Sequence, residues 1–371
     1  MPDIEILSTG LVYRNPQPHL CSKHAYFPSV VELPSGELLA TMDIGSAFEA
    51  VDVRSYSCRS SDGGHTWSKP SIIFEPDVSS HPVSTTCRVS LAPNGELVGW
   101  MGLFDRTRVD IGLANPATDG FVETRMAIIQ SNNGGRSWSV PEPVVPPVNW
   151  QHFEICSPII FLDRDRWLIP CSVWSDWNGQ NPYGLKAVAF RSDDGGRTWP
   201  AMVDVFNKSP DRIAFWEQKQ VKLSDKRLMA ICWAYDYKTK NNIPNHYTFS
   251  EDNGYTYSKP FASPLNGETC TPTALADNRI LCIYRRIDKR GLWAHLARIE
   301  DKTWHPITER RLWGSDVQAH STEQESVISQ MSTLRFGYPS VISLASREIF
   351  LVFWCVEDCV SNIRWYKLRV L

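Results

Sequence analysis

Ser60-Ser61-Asp62-Gly63-Gly64-His65-Thr66-Trp67 is an octapeptide that this chain writes four times. It returns as Ser131-x-Asn133-x-Gly135-x-Ser137-Trp138, as Ser192-x-Asp194-x-Gly196-x-Thr198-Trp199, and as Ser250-x-Asp252-x-Gly254-x-Thr256-Tyr257. Each copy reads as a hairpin turn. The Asp or Asn accepts backbone N–H groups just ahead of it, the Gly supplies a positive φ, and the hydroxyls satisfy further turn groups. The aromatic residue then re-enters a strand and packs on the sheet. A repeat of this period predicts radially repeated β-architecture, with the chemistry where the repeats converge.

A second repeat lies upstream of each turn: two short apolar strands joined tightly. It occurs at Phe27–Val31 with Gly36–Ala40, Arg88–Leu91 with Gly95–Val98, Ser157–Ile160 with Arg166–Leu168, Gln220–Leu223 with Arg227–Met229, Thr271–Ala274 with Arg279–Leu281, and Tyr338–Val341 with Glu348–Phe350. Six inner hairpins predict an all-β, six-bladed β-propeller of four-stranded antiparallel blades, one domain spanning residues 1–371. Glu300–Trp304 reads as a degenerate turn in blade five, and Ile4–Leu7 is expected to join blade six and close the ring.

The octapeptides are those of Asp boxes, and the chain resembles the sialidase superfamily of Asp-box (BNR-repeat) propellers over nearly its whole length. The resemblance implies a glycosidase that attacks with a Tyr assisted by a Glu, an exception to paired-carboxylate hydrolysis. Phe336-Gly337-Tyr338-Pro339-Ser340 matches the family's Tyr segment, and Glu217-x-x-x-Val221-x-Leu223 matches its Glu segment.

Blade phase supports the same two residues. The first strand of each blade lines a propeller's channel. Counting back eleven residues from the start of each second strand selects Phe27, Thr86, Cys156, Glu217, Thr269 and Tyr338. Counting five forward selects Asp43, Gly102, Ser172, Trp233, Arg285 and Trp354. A one-residue slip in blade three would bring Glu154 nearer.

The family's acid/base Asp aligns with Ala50, so Glu49 or Asp52 would serve, with Asp43 matching a separate Asp at the strand end. The family's three carboxylate-binding arginines are largely missing. Tyr26, Gly45 and Trp233 stand where the family has Arg positions, and only Arg285 sits where an Arg of the triad could lie. Arg285, Asp43, Tyr26, Trp233, Arg88 and His152 are the expected substrate contacts. The expected function is exo-hydrolysis of a glycan, an acidic sugar first. The alternatives are a uronate lyase using His24, His152, His246 or Tyr338, and a glycan-binding propeller without catalysis.

Composition narrows the field. The net charge of −3 with intermixed signs offers no stripe for nucleic acid, and no apolar run would span a membrane. No cofactor or metal is expected, since phosphate loops, dinucleotide glycines and zinc spacings are missing from the sequence. The partner is a carbohydrate, and oligomeric state is not encoded legibly. Met1-Pro2-Asp3 opens without a basic-then-apolar leader, and five of the ten Cys (Cys58, Cys171, Cys232, Cys282 and Cys355) fall in apolar strand-like segments, so a cytoplasmic protein with buried thiols is expected.

Overall fold

The computed structural model describes residues 3–79, 81–319 and 329–371. They form six four-stranded antiparallel sheets arranged as propeller blades. From the axis outward, blade one runs His24–Glu32, Leu38–Gly45, Arg54–Ser60 and Ser71–Ile72. Blades two, four and five repeat the order from Val83–Leu91, Ile213–Lys222 and Gly267–Ala274. Blade three departs from it, for its inner strand is only Ile160–Phe161. The preceding residues run irregularly, touching the second strand through the bridge Phe153↔Val173 and Glu154 N–H to Ser172 O at 3.0 Å.

Blade six closes the ring. Phe336–Ser343, Ile349–Glu357 and Val360–Val370 are completed by Ile4–Tyr13, registered from Ile4↔Val370 to Tyr13↔Ile363. The expected N-terminal closure is thus present and longer than Ile4–Leu7. Pairing the chain's two ends removes a free edge and ties the first blade to the last.

The octapeptides form the turns between the third and outer strands. In each, the Ser Oγ donates to the Asp or Asn at 2.7–2.9 Å and accepts the second Gly's N–H at 2.8–2.9 Å. Three copies place glycine at positive φ before that Gly, and the fourth places Asn253 there with φ 61°. The turns also staple neighbouring blades: Arg191 Nη1 donates to Asn253 O at 2.7 Å, and Arg59 reaches Gly134 O. The degenerate turn of blade five is a two-residue hairpin, Asp301-Lys302, with φ of 44° and 68°.

The core is divided among the blade interfaces. Trp100, Phe153, Trp167 and Phe190 pack between blades two and three, Leu281, Ile283, Leu351 and Phe353 between five and six, and Ala40, Phe350 and Trp365 between one and six. The second strands of blades one and four are buried almost throughout, so they read as nearly continuous apolar runs. All ten cysteines are free thiols, and eight of them are buried.

Candidate active site

Four of the six inner strands are broken by a β-bulge at one repeat position. Register slips between Tyr26 and Ser29, Trp216 and Lys219, Glu268 and Thr271, and Gly337 and Ser340. The extra residue has positive φ each time: Phe27 48°, Glu217 53°, Thr269 50° and Tyr338 50°. This backbone region is costly for bulky and β-branched side chains, by about 1–3 kcal/mol each. A bulge re-aims side chains, and here it turns the four into the channel. Blades two and three reach the same ring without a bulge, through Thr86 and Cys156. All six of these residues line one cavity of about 140 Å³.

The floor of that cavity is a polar network centred on Tyr338, which is 4% exposed. Its hydroxyl accepts Arg88 Nε at 2.8 Å and Lys219 Nζ at 2.9 Å and donates to Cys156 O. A phenol has one proton and two lone pairs, so this hydroxyl is saturated. Burial pushes the Tyr338 pKa up, and the charges of Arg88 and Lys219 oppose the rise. Arg88 extends the network to Phe27 O at 3.0 Å and Asp43 Oδ2 at 3.4 Å. Asp43 also accepts Ser55 Oγ at 3.0 Å and Thr86 Oγ1 at 2.5 Å. Burial lifts the Asp43 pKa to about 6 despite these partners.

Above the floor the cavity wall is acidic: Asp43, Glu49, Glu154, Glu217 and Glu268 line it. Glu154 and Glu217 come from adjacent blades, and Glu154 Oε2 accepts the Glu217 backbone N–H at 2.8 Å. Burial, then the charge of Glu154, pushes Glu217 up to about 7, while Glu154 is itself raised by burial. Glu217 Oε2 has no hydrogen-bond partner. Glu49 lies across the cavity, in the loop after the second strand of blade one. Its Oε2 accepts Leu113 N–H at 2.6 Å, and burial raises its pKa. Glu268 grips Arg285 through Nε at 2.9 Å and Nη2 at 2.7 Å. Gly337 makes room for that pair, since a Cβ there would collide with Arg285 Nη1.

The remaining wall is aromatic. Phe121 stacks on Trp174 with centroids 3.9 Å apart, and Trp233 donates from Nε1 to Asn242 Oδ1 at 2.6 Å. Phe121 arrives on a short ribbon, Ala114–Asn115 with Gly120–Phe121, inserted in blade two. A side chain at Gly120 would overlap the Asp176 carbonyl, so the ribbon's approach to blade three requires glycine.

Tyr338, Glu217, Glu49, Asp43, Arg88, Arg285 and Trp233 from the sequence reading thus share one cavity. Three expected residues stand outside its lining. Asp52 accepts Ser46 N–H and Oγ, both at 2.9 Å, and pairs with Lys23; these contacts outweigh burial and hold its pKa low. Tyr26 is core, with its ring 5.4 Å from Trp354 and 5.0 Å from Phe48. His152 turns away, Nδ1 lying 3.1 Å from Phe121 O, and neither His24 nor His246 lines the cavity. Nor is Glu217 among the partners of the Tyr338 hydroxyl. Lys219 and Glu268 escaped the sequence reading. At the blade-five bulge Glu268 lines the cavity together with Thr269, whereas Lys219 lies two residues past Glu217 in blade four and reaches the floor through the Tyr338 hydroxyl.

No protein-family model and no curated protein matches the sequence. Solved structures do match its fold. A Dyadobacter fermentans protein of unknown function is 18% identical with a TM-score of 0.75, covering 100% of both chains. The NanB sialidase of Streptococcus pneumoniae is 12% identical with a TM-score of 0.66, over 97% of this chain and 70% of that one. A Penicillium chrysogenum α-L-arabinanase is 14% identical with a TM-score of 0.66, over 98% of each. In fold, the chain is a six-bladed β-propeller similar to those of these sialidase and arabinanase structures.

Proposed function

We propose that the chain is an exo-acting glycoside hydrolase that removes a neutral terminal sugar with the carboxyl pair Glu154 and Glu217. The pair is the observation that carries the reading. Two neighbouring buried carboxyls favour holding one proton between them near neutrality. Glycoside hydrolysis needs that combination: one protonated carboxyl to donate to the leaving oxygen, and one carboxylate to attack or to activate water. Glu217, with a pKa near 7 and a bare Oε2, is the proton donor. The structural neighbours named sialidase and arabinanase add that this fold hosts glycan hydrolysis.

The surroundings define the sugar. Arg88 and Arg285 already face Asp43 and Glu268, and five carboxyl groups line the cavity, which disfavours an anionic sugar. The floor network closes the channel beneath the cavity, so a chain end enters and a chain interior does not. Trp174, Phe121 and Trp233 offer apolar faces to a pyranose or furanose ring. Glu49 accepts sugar hydroxyls from the opposite wall.

A second reading makes Tyr338 the nucleophile, Glu217 its base and Glu49 the acid. It is favoured by Arg88 and Lys219, two cations placed to stabilise a phenolate. Turnover of a panel of aryl glycosides by Glu154→Gln and Tyr338→Phe separates the two. Collapse of the first variant with survival of the second supports the carboxyl pair; the reverse transfers the chemistry to Tyr338. An aryl sialoside cleaved as fast as the best neutral glycoside would overturn the neutral-sugar assignment.

A further inference from the structure

The bulge position that carries Glu217 in blade four and Tyr338 in blade six carries Phe27 in blade one. Of the four residues held there at positive φ, Phe27, at 48°, is the aliphatic-free apolar exception to Glu217, Thr269 and Tyr338. A phenylalanine gains nothing locally from that backbone, so the strain is kept for where the ring goes. It goes into the cavity, with its centroid 5.1 Å from that of Phe48 and 5.5 Å from that of Tyr338. Phe48, in the loop after the second strand of blade one, lies 5.7 Å from Trp354 of blade six. Leu334, just past the short helix Ser329–Thr333, packs on the same cluster. Phe27, Phe48, Leu334 and Trp354 thus make one apolar corner of the cavity, on blades one and six.

Phe27 shares its repeat position with Glu217 and stands three blades round the ring from it. The corner is therefore at the depth of the carboxyl pair and across the cavity from it. A leaving group extends toward the open mouth, so what reaches the corner is the sugar itself. Away from the anomeric carbon, the only carbon substituent of an aldohexopyranose is the one on C5. In an ordinary hexose that substituent ends in a hydroxyl, whose burial without a partner is costly. Among the polar liners of the same two blades, the Tyr338 hydroxyl is saturated and Asp43 already accepts Ser55, Thr86 and Arg88. Glu49 and Gln330, which also line the cavity, are left for ring hydroxyls.

We propose that the bound sugar is a 6-deoxyhexose, with the methyl group on C5 seated among Phe27, Phe48, Leu334 and Trp354. The inference rests on the hydrolase reading above, which places the anomeric carbon at Glu154 and Glu217.

Matched 4-nitrophenyl glycosides that differ only at O6 are the probes: L-fucoside and L-galactoside, L-rhamnoside and L-mannoside, D-fucoside and D-galactoside, D-quinovoside and D-glucoside, each in both anomers. In the pair that is turned over, the deoxy member should have the higher kcat/KM by about 10–100-fold. Phe48→Asn and Leu334→Asn should each narrow that ratio to within about threefold, and a melting curve shows which of the two is folded. A parent hexoside or a pentoside cleaved faster than every deoxyhexoside would overturn the proposal, as would a ratio unchanged in both variants. If none of the glycosides is cleaved, the hydrolase reading is what fails, and calorimetric binding of the free sugars to wild-type protein decides the corner. Tighter binding of a deoxy sugar than of its parent by the same ratio supports it; equal binding, weaker binding or none refutes it.

Discussion

The octapeptide turns at the rim and the bulges at the axis are both fourfold repeats, yet they obey different constraints. At the rim, the Ser, Asp and Thr hydrogen bonds that shape the turn close within one octapeptide, and the residue types are the ones its geometry requires. At the axis, geometry is kept while residue type varies: Phe27, Glu217, Thr269 and Tyr338 share a positive φ and nothing else. Three of these are poor residues for that backbone. The rim spends its sequence on folding, and the axis holds strain so that chosen side chains meet. Blades two and three sharpen the contrast, since they reach the ring without a bulge and contribute Thr86 and Cys156.

If the axis is where chemistry resides, its carboxyls carry the largest effects. Glu217→Gln and Glu154→Gln are each expected to lower kcat/KM by about 10²–10⁴. Retained activity in both would dissolve the distinction between rim and axis. Tyr338→Phe tests the floor. It removes the acceptor shared by Arg88 and Lys219, and a stability loss of about 1–3 kcal/mol is expected in denaturant unfolding. Its effect on turnover should stay within about tenfold.

The raised Glu217 pKa gives a signed expectation for stability. The folded protein holds a proton that an unfolded Glu releases at its ordinary 4.5. Folding is therefore weakened as pH climbs from 4.5 to about 7, and the penalty is constant above that. Glu217→Gln should match wild type near the low end of this window and exceed it at alkaline pH by on the order of 1–3 kcal/mol. An unchanged difference across the range would remove the protonated carboxyl from the site. Activity that depends on protonated Glu217 should fall through the same upper pKa.

The rim predicts the converse. Asp252→Ala removes the acceptor for Thr256 N–H at 2.9 Å and Tyr255 N–H at 3.0 Å. Melting temperature should drop by about 2–4 °C with kcat unchanged. The smallest effect is expected at Thr269, a β-branched residue at φ 50° with an unpartnered Oγ1. Thr269→Gly should relieve the backbone and stabilise the fold by up to about 1 kcal/mol. Destabilisation instead would mean that the side chain's packing outweighs the strain.

By itself, the sequence determined the architecture and its phase. The four octapeptides are local structures, complete within eight residues, and they index the blades wherever they occur. Counting back from the start of each second strand placed all six ring residues in the cavity that the folded chain forms. Local rules did not reach the electrostatics. The Glu154–Glu217 contact joins positions 63 residues apart, and the Tyr338 hydroxyl meets Lys219 across 119 residues and Arg88 across 250. Which carboxyl keeps a proton, which arginine is already matched, and that Asp52 ties its own loop while Glu49 faces the cavity, depend on burial and on charges from other blades. Only ring closure brings those together, because each inner strand belongs to a different blade.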